Sequence, residues 1–279
     1  MWLRRVSTVI AALVLSTGDL GAGHAQALPS PADMPPDVLE TLTPDPVNLA
    51  RQERHASGTG FFVSKDGYLV TALHVVRDRS FVMLKGVDDA RWRRAKVIKT
   101  DTEKDLALLQ VMPAGAASIP LDLGNSPSMP VGLEAYVIGF PLPKVQGATL
   151  KITQGIVNGF GGKPRGPQIF QLSAEVHKGS SGAPVLAPDG KVIGIVQRKL
   201  DAVHVARQFG DFPQNVNFAL RSSEIDDFLK GSPVEYRVEN VDLQKIKRPF
   251  RVFQDAMSSV VMIVAFNRPS APSDPTSQP

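Results

Sequence analysis

Apolar positions along this chain fall in short runs separated by turn residues, and helical stripes are almost absent. Phe61-Phe62-Val63 is followed by Tyr68-Leu69-Val70 across Asp66-Gly67. Val185-Leu186 is followed by Val192-Ile193-Gly194-Ile195-Val196 across Asp189-Gly190. An Asp-Gly pair between apolar runs predicts a hairpin, because both residues accept the positive φ that a tight turn demands. Further strand-like runs lie at 81–85, 95–100, 106–112, 135–140, 152–157 and 169–172. Many short strands with turn punctuation predict an all-β sandwich or barrel. One helix stands out: Ser223 is placed to cap it, Asp226 follows at its third position, Ile225, Phe228 and Leu229 share a face, and Gly231 ends it. Residues 260–266 read as one buried strand, too short for a membrane span. It could complete the second of two barrels, cover that barrel's edge, or pair with another subunit.

The termini differ from this middle. Residues 1–27 carry Arg4 and Arg5, an apolar stretch from Val9 to Leu15, and small residues at Ala25-Gln26-Ala27. That order predicts a secretory signal peptide cleaved near Ala27, its apolar part too short for a stable membrane insertion. An uncleaved anchor and a twin-arginine signal are the alternatives. Residues 28–50 hold six prolines and few large apolar side chains, which predicts an extended arm. The expected organisation is thus a signal peptide (1–27), an arm (28–50), one folded domain (51–231), a C-terminal extension (232–266) and a disordered Pro/Ser-rich tail (267–279).

Composition narrows the function. The chain has no cysteine, which excludes a thiol nucleophile and any thiolate metal site, and suits a bacterial envelope protein held together by its core. The net charge of +4 becomes +3 once Arg4, Arg5 and Asp19 leave with the signal. So small a surplus gives no ground for a nucleic-acid partner. The densest basic run, Arg91-Trp92-Arg93-Arg94, alternates as a solvated strand face does.

Three local patterns carry chemistry. Ser181 lies in Gly179-Ser180-Ser181-Gly182-Ala183-Pro184, where flanking glycines permit a tight turn that exposes Oγ and gathers neighbouring N–H groups. Taken singly, an ordinary Gly/Ser turn is the commoner meaning. His74 ends the apolar run Val70-Thr71-Ala72-Leu73-His74, at the point where a core meets a cleft. Asp105 heads Leu106-Ala107-Leu108-Leu109, where a partly buried carboxylate needs a partner and an imidazole N–H supplies one. The nearest competitor, Asp101, is followed by Thr102, Glu103 and Lys104 and is expected to stay solvated.

Together these patterns resemble the trypsin-like (chymotrypsin-fold) serine peptidases, and within them the HtrA/Deg-like branch. The similar stretches are Ser57 to Thr71, Asp105 to Leu109, Val137-Ile138-Gly139-Phe140-Pro141, Thr153-Gln154-Gly155-Ile156-Val157, Gly179 to Pro184 and Asn217-Phe218-Ala219-Leu220. The order His, Asp, Ser, at intervals of 31 and 76 residues, matches this family and differs from the α/β-hydrolase order. The resemblance implies two six-stranded antiparallel β-barrels and a triad of His74, Asp105 and Ser181 in the cleft between them. It also implies an oxyanion hole from the backbone at Gly179, Ser180 and Ser181, polypeptide substrates, and no metal or organic cofactor. Departures are Ala183 in place of a second glycine, Ser180 where digestive relatives have aspartate, and Lys178 where the branch often has proline. Only 48 residues follow Gly231, fewer than a PDZ domain needs, so the chain resembles a member without one.

By family position Glu175, Val176 and His177 should line one wall of the primary specificity pocket, with Phe218, Ala219 and Leu220 opposite. Glu175 pointing inward would favour a basic side chain, whereas Glu175 in solvent leaves a small aliphatic pocket. The expected function is an exported, periplasmic or secreted serine endopeptidase acting on unfolded or envelope proteins. A catalytically inactive protease-like binding protein and a narrowly selective processing protease are the alternatives. Oligomeric state is not readable from these patterns.

Overall fold

The computed structural model describes residues 56–89, 91–115, 118–125, 129–143, 149–161, 168–199 and 216–267, with backbone only at 198–199. The expected signal peptide, arm and nearly all of the expected tail lie outside the described residues. In chain order the strands are β1 (Ala56–Phe62), β2 (Tyr68–Ala72), β3 (Phe81–Gly86), β4 (Arg93–Asp101), β5 (Leu106–Val111), β6 (Leu123–Asn125) and β7 (Glu134–Gly139). They continue with β8 (Lys151–Gly161), β9 (Ile169–Leu172), β10 (Pro184–Leu186), β11 (Val192–Lys199), β12 (Asn217–Arg221), β13 (Val238–Asn240) and β14 (Val260–Phe266). Both Asp-Gly hairpins form, with Gly67 at φ 80° and Gly190 at φ 94°.

The strands close into two six-stranded barrels, as the resemblance implied. The first runs β1-β14-β3-β4-β5-β2; the second runs β10-β7-β8-β9-β12-β11 and is closed by the β10–β11 pairing, with β6 and β13 added outside β11. Two of these pairings, β11–β6 and β6–β13, are parallel.

Three buried clusters explain why several strands read as unbroken apolar runs. Phe62, Leu69, Leu84, Ala107, Leu109, Val261 and Ile263 fill the first barrel. Phe170, Leu172, Val176, Val185, Ile193 and Ala219 fill the second. Phe61, Val70, Leu106, Leu108, Tyr136, Ile138, Leu220, Val260, Met262 and Val264 belong to a further cluster that draws on strands of both barrels. Alternate residues of β1, β2, β5 and β14 therefore enter different clusters, and a strand covered on both faces loses its polar alternation.

The strand at 260–266 pairs with β1 from Ala56↔Ala265 to Phe61↔Val260, and with β3 from Val261↔Gly86 to Phe266↔Phe81. It lies inside the first barrel and does not complete the second, whose ring is already closed by the β10–β11 pairing. The segment expected as an extension beyond the domain thus supplies a barrel strand, reached through β13 and the helix α3 (Pro249–Ala256). The expected helix is α2 (Ser222–Leu229), two residues earlier than Ser223 capping requires. Arg221 is its N-cap residue, and the Ser222 hydroxyl donates to the Gly124 carbonyl instead.

Candidate active site

His74 and Asp105 meet where β2 and β5 end together, in register from Tyr68↔Gln110 to Ala72↔Leu106. The expectation that His74 closes a strand is corrected here. β2 stops at Ala72, and His74 lies in the one-turn helix α1 (Leu73–Val76). Asp105 causes that change. Its backbone carbonyl accepts the Leu73 N–H at 2.9 Å, its Oδ1 accepts the His74 N–H at 2.9 Å, and its Oδ2 lies 2.7 Å from His74 Nδ1. One carboxylate thereby fixes both the backbone and the ring of His74, leaving Nε2 as the ring nitrogen that faces outward chemistry.

Asp105 adopts φ 50°, in the left-handed region that few non-glycine residues occupy. Aspartate is among the residues that tolerate it best. The competitor Asp101 ends β4 and accepts the Lys104 N–H at 2.9 Å, a local turn contact that keeps it from the imidazole. The His74 side chain is 44% exposed and that of Asp105 26%, so the imidazole is the more open of the two.

Ser181 approaches from the second barrel. Its carbonyl accepts the Thr59 N–H at 2.9 Å, and Gly182 packs against β1 and β2 so closely that an added Cβ would stand 2.2 Å from the Thr59 oxygen and 2.9 Å from the Ala72 nitrogen. With φ 83° as well, Gly182 has no tolerable replacement. Ser181 is thus seated against the strands that lead into His74. Among the described residues Ser181 Oγ has no hydrogen-bond partner, and none joins it to His74. Catalytic hydrogen bonds in unliganded sites are often long and tighten only around substrate.

The backbone before Ser181 is held peptide by peptide. The Lys178 carbonyl accepts the Leu142 N–H at 2.6 Å and the Ser180 carbonyl accepts the Ala183 N–H at 2.9 Å. In a trans peptide the N–H points opposite to the C=O. The N–H groups of Gly179 and Ser181 are thereby aimed away from those anchors, and neither has a partner among the described residues. The peptide between them is fixed at both ends, its Gly179 carbonyl accepting from Thr59 Oγ1 at 2.8 Å and its Ser180 N–H donating to His177 O at 2.9 Å. Thr59 Oγ1 also accepts the Phe140 N–H at 3.1 Å, and Thr59 O accepts from Thr71 Oγ1 at 2.7 Å. Thr59, fully buried, joins β1, the end of β7 and the turn before Ser181. Sequence reasoning quoted Thr59 only as part of a motif; its signal was a hydroxyl set between two glycines and followed by two phenylalanines.

The expected pocket residues divide. The Glu175 side chain is 62% exposed and its Oε1 lies 2.7 Å from His177 Nε2, so the two form a solvent-facing pair. Val176 is buried in the second barrel, as is Ala219, and Leu220 joins the cluster shared by both barrels. Ala219 and Leu220 have no accessible surface, whereas Phe218 keeps part of its own. The loop 173–176 is tied to β12 by Asn217 Nδ2 to Ala174 O at 2.7 Å, and is laid on β8 by the Ser173 N–H to Ile156 O and by Thr153 Oγ1 to Glu175 O at 2.8 Å. Gly155 permits that contact, since a Cβ there would stand 2.1 Å from the Ala174 nitrogen.

Among the described residues no group of three or more histidine, aspartate or glutamate side chains could hold a metal ion, and no helix is long and apolar enough to cross a membrane.

Comparison with known proteins adds an independent line. Residues 58–195 match the family described as trypsin-like peptidase domain. An uncharacterized protein, y4bJ, of Sinorhizobium fredii is 35% identical over 221 residues, covering 79% of this chain and 33% of that protein. A probable periplasmic serine endoprotease, DegP-like, of Halomonas elongata is 34% identical over 148 residues, covering 52% of this chain and 30% of that one. The chain therefore spans about a third of the length of these relatives. Among solved structures, the Rv3671c protease in its inactive form aligns with a TM-score of 0.49 at 23% identity, over 66% of this chain and 91% of that one.

Proposed function

Because the chain carries a trypsin-like peptidase domain with HtrA/DegP relatives, we propose that it is a serine endopeptidase whose nucleophile is Ser181, with His74 as general base and Asp105 orienting the imidazole. The observation that carries this reading is the double grip of Asp105 on His74, beside a serine turn whose two N–H groups are unspent. In the proposed reaction Ser181 Oγ attacks the scissile carbonyl carbon while its proton passes to His74 Nε2. The oxyanion is received by the N–H groups of Gly179 and Ser181. The proton is then given to the leaving amine, and water repeats the sequence to release the acyl group. Asp105 keeps the imidazole in the tautomer with the proton on Nδ1 and stabilises the imidazolium as it forms. Unfolded or envelope polypeptides are the proposed substrates, and the bacterial periplasm is the proposed setting, the latter in keeping with the names of the DegP-like relatives. The exposed Glu175–His177 pair favours a pocket of modest aliphatic capacity over one that holds a buried carboxylate.

A fluorophosphonate probe tests this directly. Native protein should be labelled at Ser181 and should cleave denatured casein; Ser181→Ala should abolish both, lowering kcat by roughly a millionfold. Folded protein that takes no label and cleaves nothing, yet still binds polypeptide, would assign the chain to the inactive, binding class.

A further inference from the structure

Residues 242–251 form a projecting corner beside the β10–β11 hairpin, and it is held firmly. The Asp242 N–H donates to Asp189 Oδ2 at 2.9 Å, the Gln244 N–H to Asp242 Oδ1 at 3.0 Å and the Lys247 N–H to Pro188 O at 3.0 Å. Helix α3 continues from it with Val252 and Ala256 buried. In spite of that anchoring, Leu243, Ile246 and Phe250 remain 44%, 74% and 50% exposed. Cations surround these tips. Between 242 and 255 there are four of them, Lys245, Lys247, Arg248 and Arg251, against two acids, Asp242 and Asp255. Asp255 is already paired with Lys247 at 2.9 Å, and the Arg251 guanidinium covers the Phe250 ring at 5.2 Å. Lys245 and Arg248 form no salt bridge among the described residues.

We propose that this corner docks the protein peripherally onto anionic phospholipid surfaces, with Leu243, Ile246 and Phe250 entering the interface and Lys245, Arg248 and Arg251 meeting the phosphates. Apolar tips ringed by basic side chains match the two layers of such a surface, a negative headgroup plane over hydrocarbon. A second copy fits poorly, since a twofold contact would set cation against cation. The other basic stretch, at 91–96, lacks the pattern: Arg93 is paired with Asp89, and no large apolar side chain between 91 and 96 stands exposed among the cations.

Co-sedimentation of the full chain with vesicles tests the proposal. Binding is expected to vesicles of phosphatidylcholine mixed with phosphatidylglycerol, not to phosphatidylcholine alone, and should weaken with salt. At roughly fivefold per cation, Lys245→Gln with Arg248→Gln should lower the partition coefficient roughly thirtyfold. Ile246→Ser with Phe250→Ser should lose binding while the urea midpoint and lipid-free casein hydrolysis stay unchanged. Arg91→Gln with Arg94→Gln should bind as wild type. The proposal is overturned by equal binding to both vesicle types, by no binding to either, or by an equal loss in the 91/94 variant. It is also overturned if Ile246→Ser with Phe250→Ser instead converts a dimer to a monomer in sedimentation velocity.

Discussion

Thr59→Val should damage both stability and catalysis, although Thr59 touches no substrate. Valine keeps the shape and the backbone bond to Ser181, but removes a hydroxyl that donates to Gly179 O at 2.8 Å and accepts from Phe140 N at 3.1 Å. Both partners are enclosed by the two barrels, and each buried group left unpaired costs about 1–3 kcal/mol. A loss of about 2–4 kcal/mol follows for the pair, allowing for some relaxation. For a domain of this size that corresponds to roughly 5–15 °C in Tm. The catalytic effect arises separately. The Gly179–Ser180 peptide loses one of its two anchors, so the flanking N–H groups of Gly179 and Ser181 are free to rotate from their aim. A donor removed outright from an oxyanion hole lowers kcat by about 100- to 1,000-fold; partial misalignment should cost at least about tenfold, with KM little changed. The assay pairs thermal unfolding with kcat and KM on a fluorogenic peptide, using Thr59→Ser as the control that restores the hydroxyl. Thr59→Val with wild-type kcat, or Thr59→Ser as impaired as the valine, would refute the role assigned to this hydroxyl.

Other expectations follow from the same contacts. A chain ended at Gly231 lacks β14, whose Val260, Val261, Met262, Ile263 and Val264 are buried. At about 1.5–3 kcal/mol each this equals the whole stability of a typical domain, so circular dichroism should find no cooperative unfolding. Gly155→Ala should lower Tm and kcat/KM together, because the loop carrying Glu175 and Val176 must lift off β8 to admit the methyl group. Tyr136 has its phenol pushed up to about 12 by burial first and then by the Glu134 carboxylate that accepts its proton at 2.8 Å. An unfolded chain ionises this group near 10, so the stability it lends is complete below that pH and is lost as pH rises from about 10 to 12, about 3 kcal/mol in all. Urea unfolding at about pH 8 and about pH 11 should show a steeper loss for wild type than for Tyr136→Phe.

What could be read in advance was what local chemistry encodes. The two Asp-Gly hairpins depend on residues adjacent in the chain, and each formed where the pattern put it. The pairing of His74 with Asp105 was legible too, since an apolar strand leaves a leading carboxylate few partners. Other features were not local. That His74 sits on a helical turn follows from Asp105 capturing two consecutive N–H groups from a strand 31 residues away. Family position leaves Glu175 two orientations, inward or solvent-facing, and nothing in the pattern shows that His177, two positions on, meets its carboxylate at 2.7 Å in an exposed pair. β6 and β13, three residues each, bear too few apolar positions to signal a strand; β6 meets β11 only at Val192, ahead of the β12 pairing that begins at Gly194, and β13 in turn pairs with β6.

The strand at 260–266 is the instructive case, because its burial was legible and its address was not. Six successive buried residues demand cover on both faces, and any closed barrel would provide that. The choice between barrels rests on edges. β7 to β12 already form a closed ring, so the second barrel has no vacancy, whereas β1 and β3 would face each other across a gap one strand wide. Filling that gap satisfies six registered positions on each side and gives β1, which carries Thr59 to the serine turn, a partner along almost its whole length. The C-terminal strand therefore does more than add apolar burial. It holds rigid the strand whose Thr59 side chain aims the backbone before Ser181, and a weakened β14 should reach the active site through β1. Val264→Ala, remote from the cleft and buried between the barrels, is expected to cost about 1–3 kcal/mol. Its effect on kcat should vanish at temperatures where the first barrel stays fully folded; a kcat defect that persists there would mean that β14 and the serine turn are coupled by some route other than barrel closure.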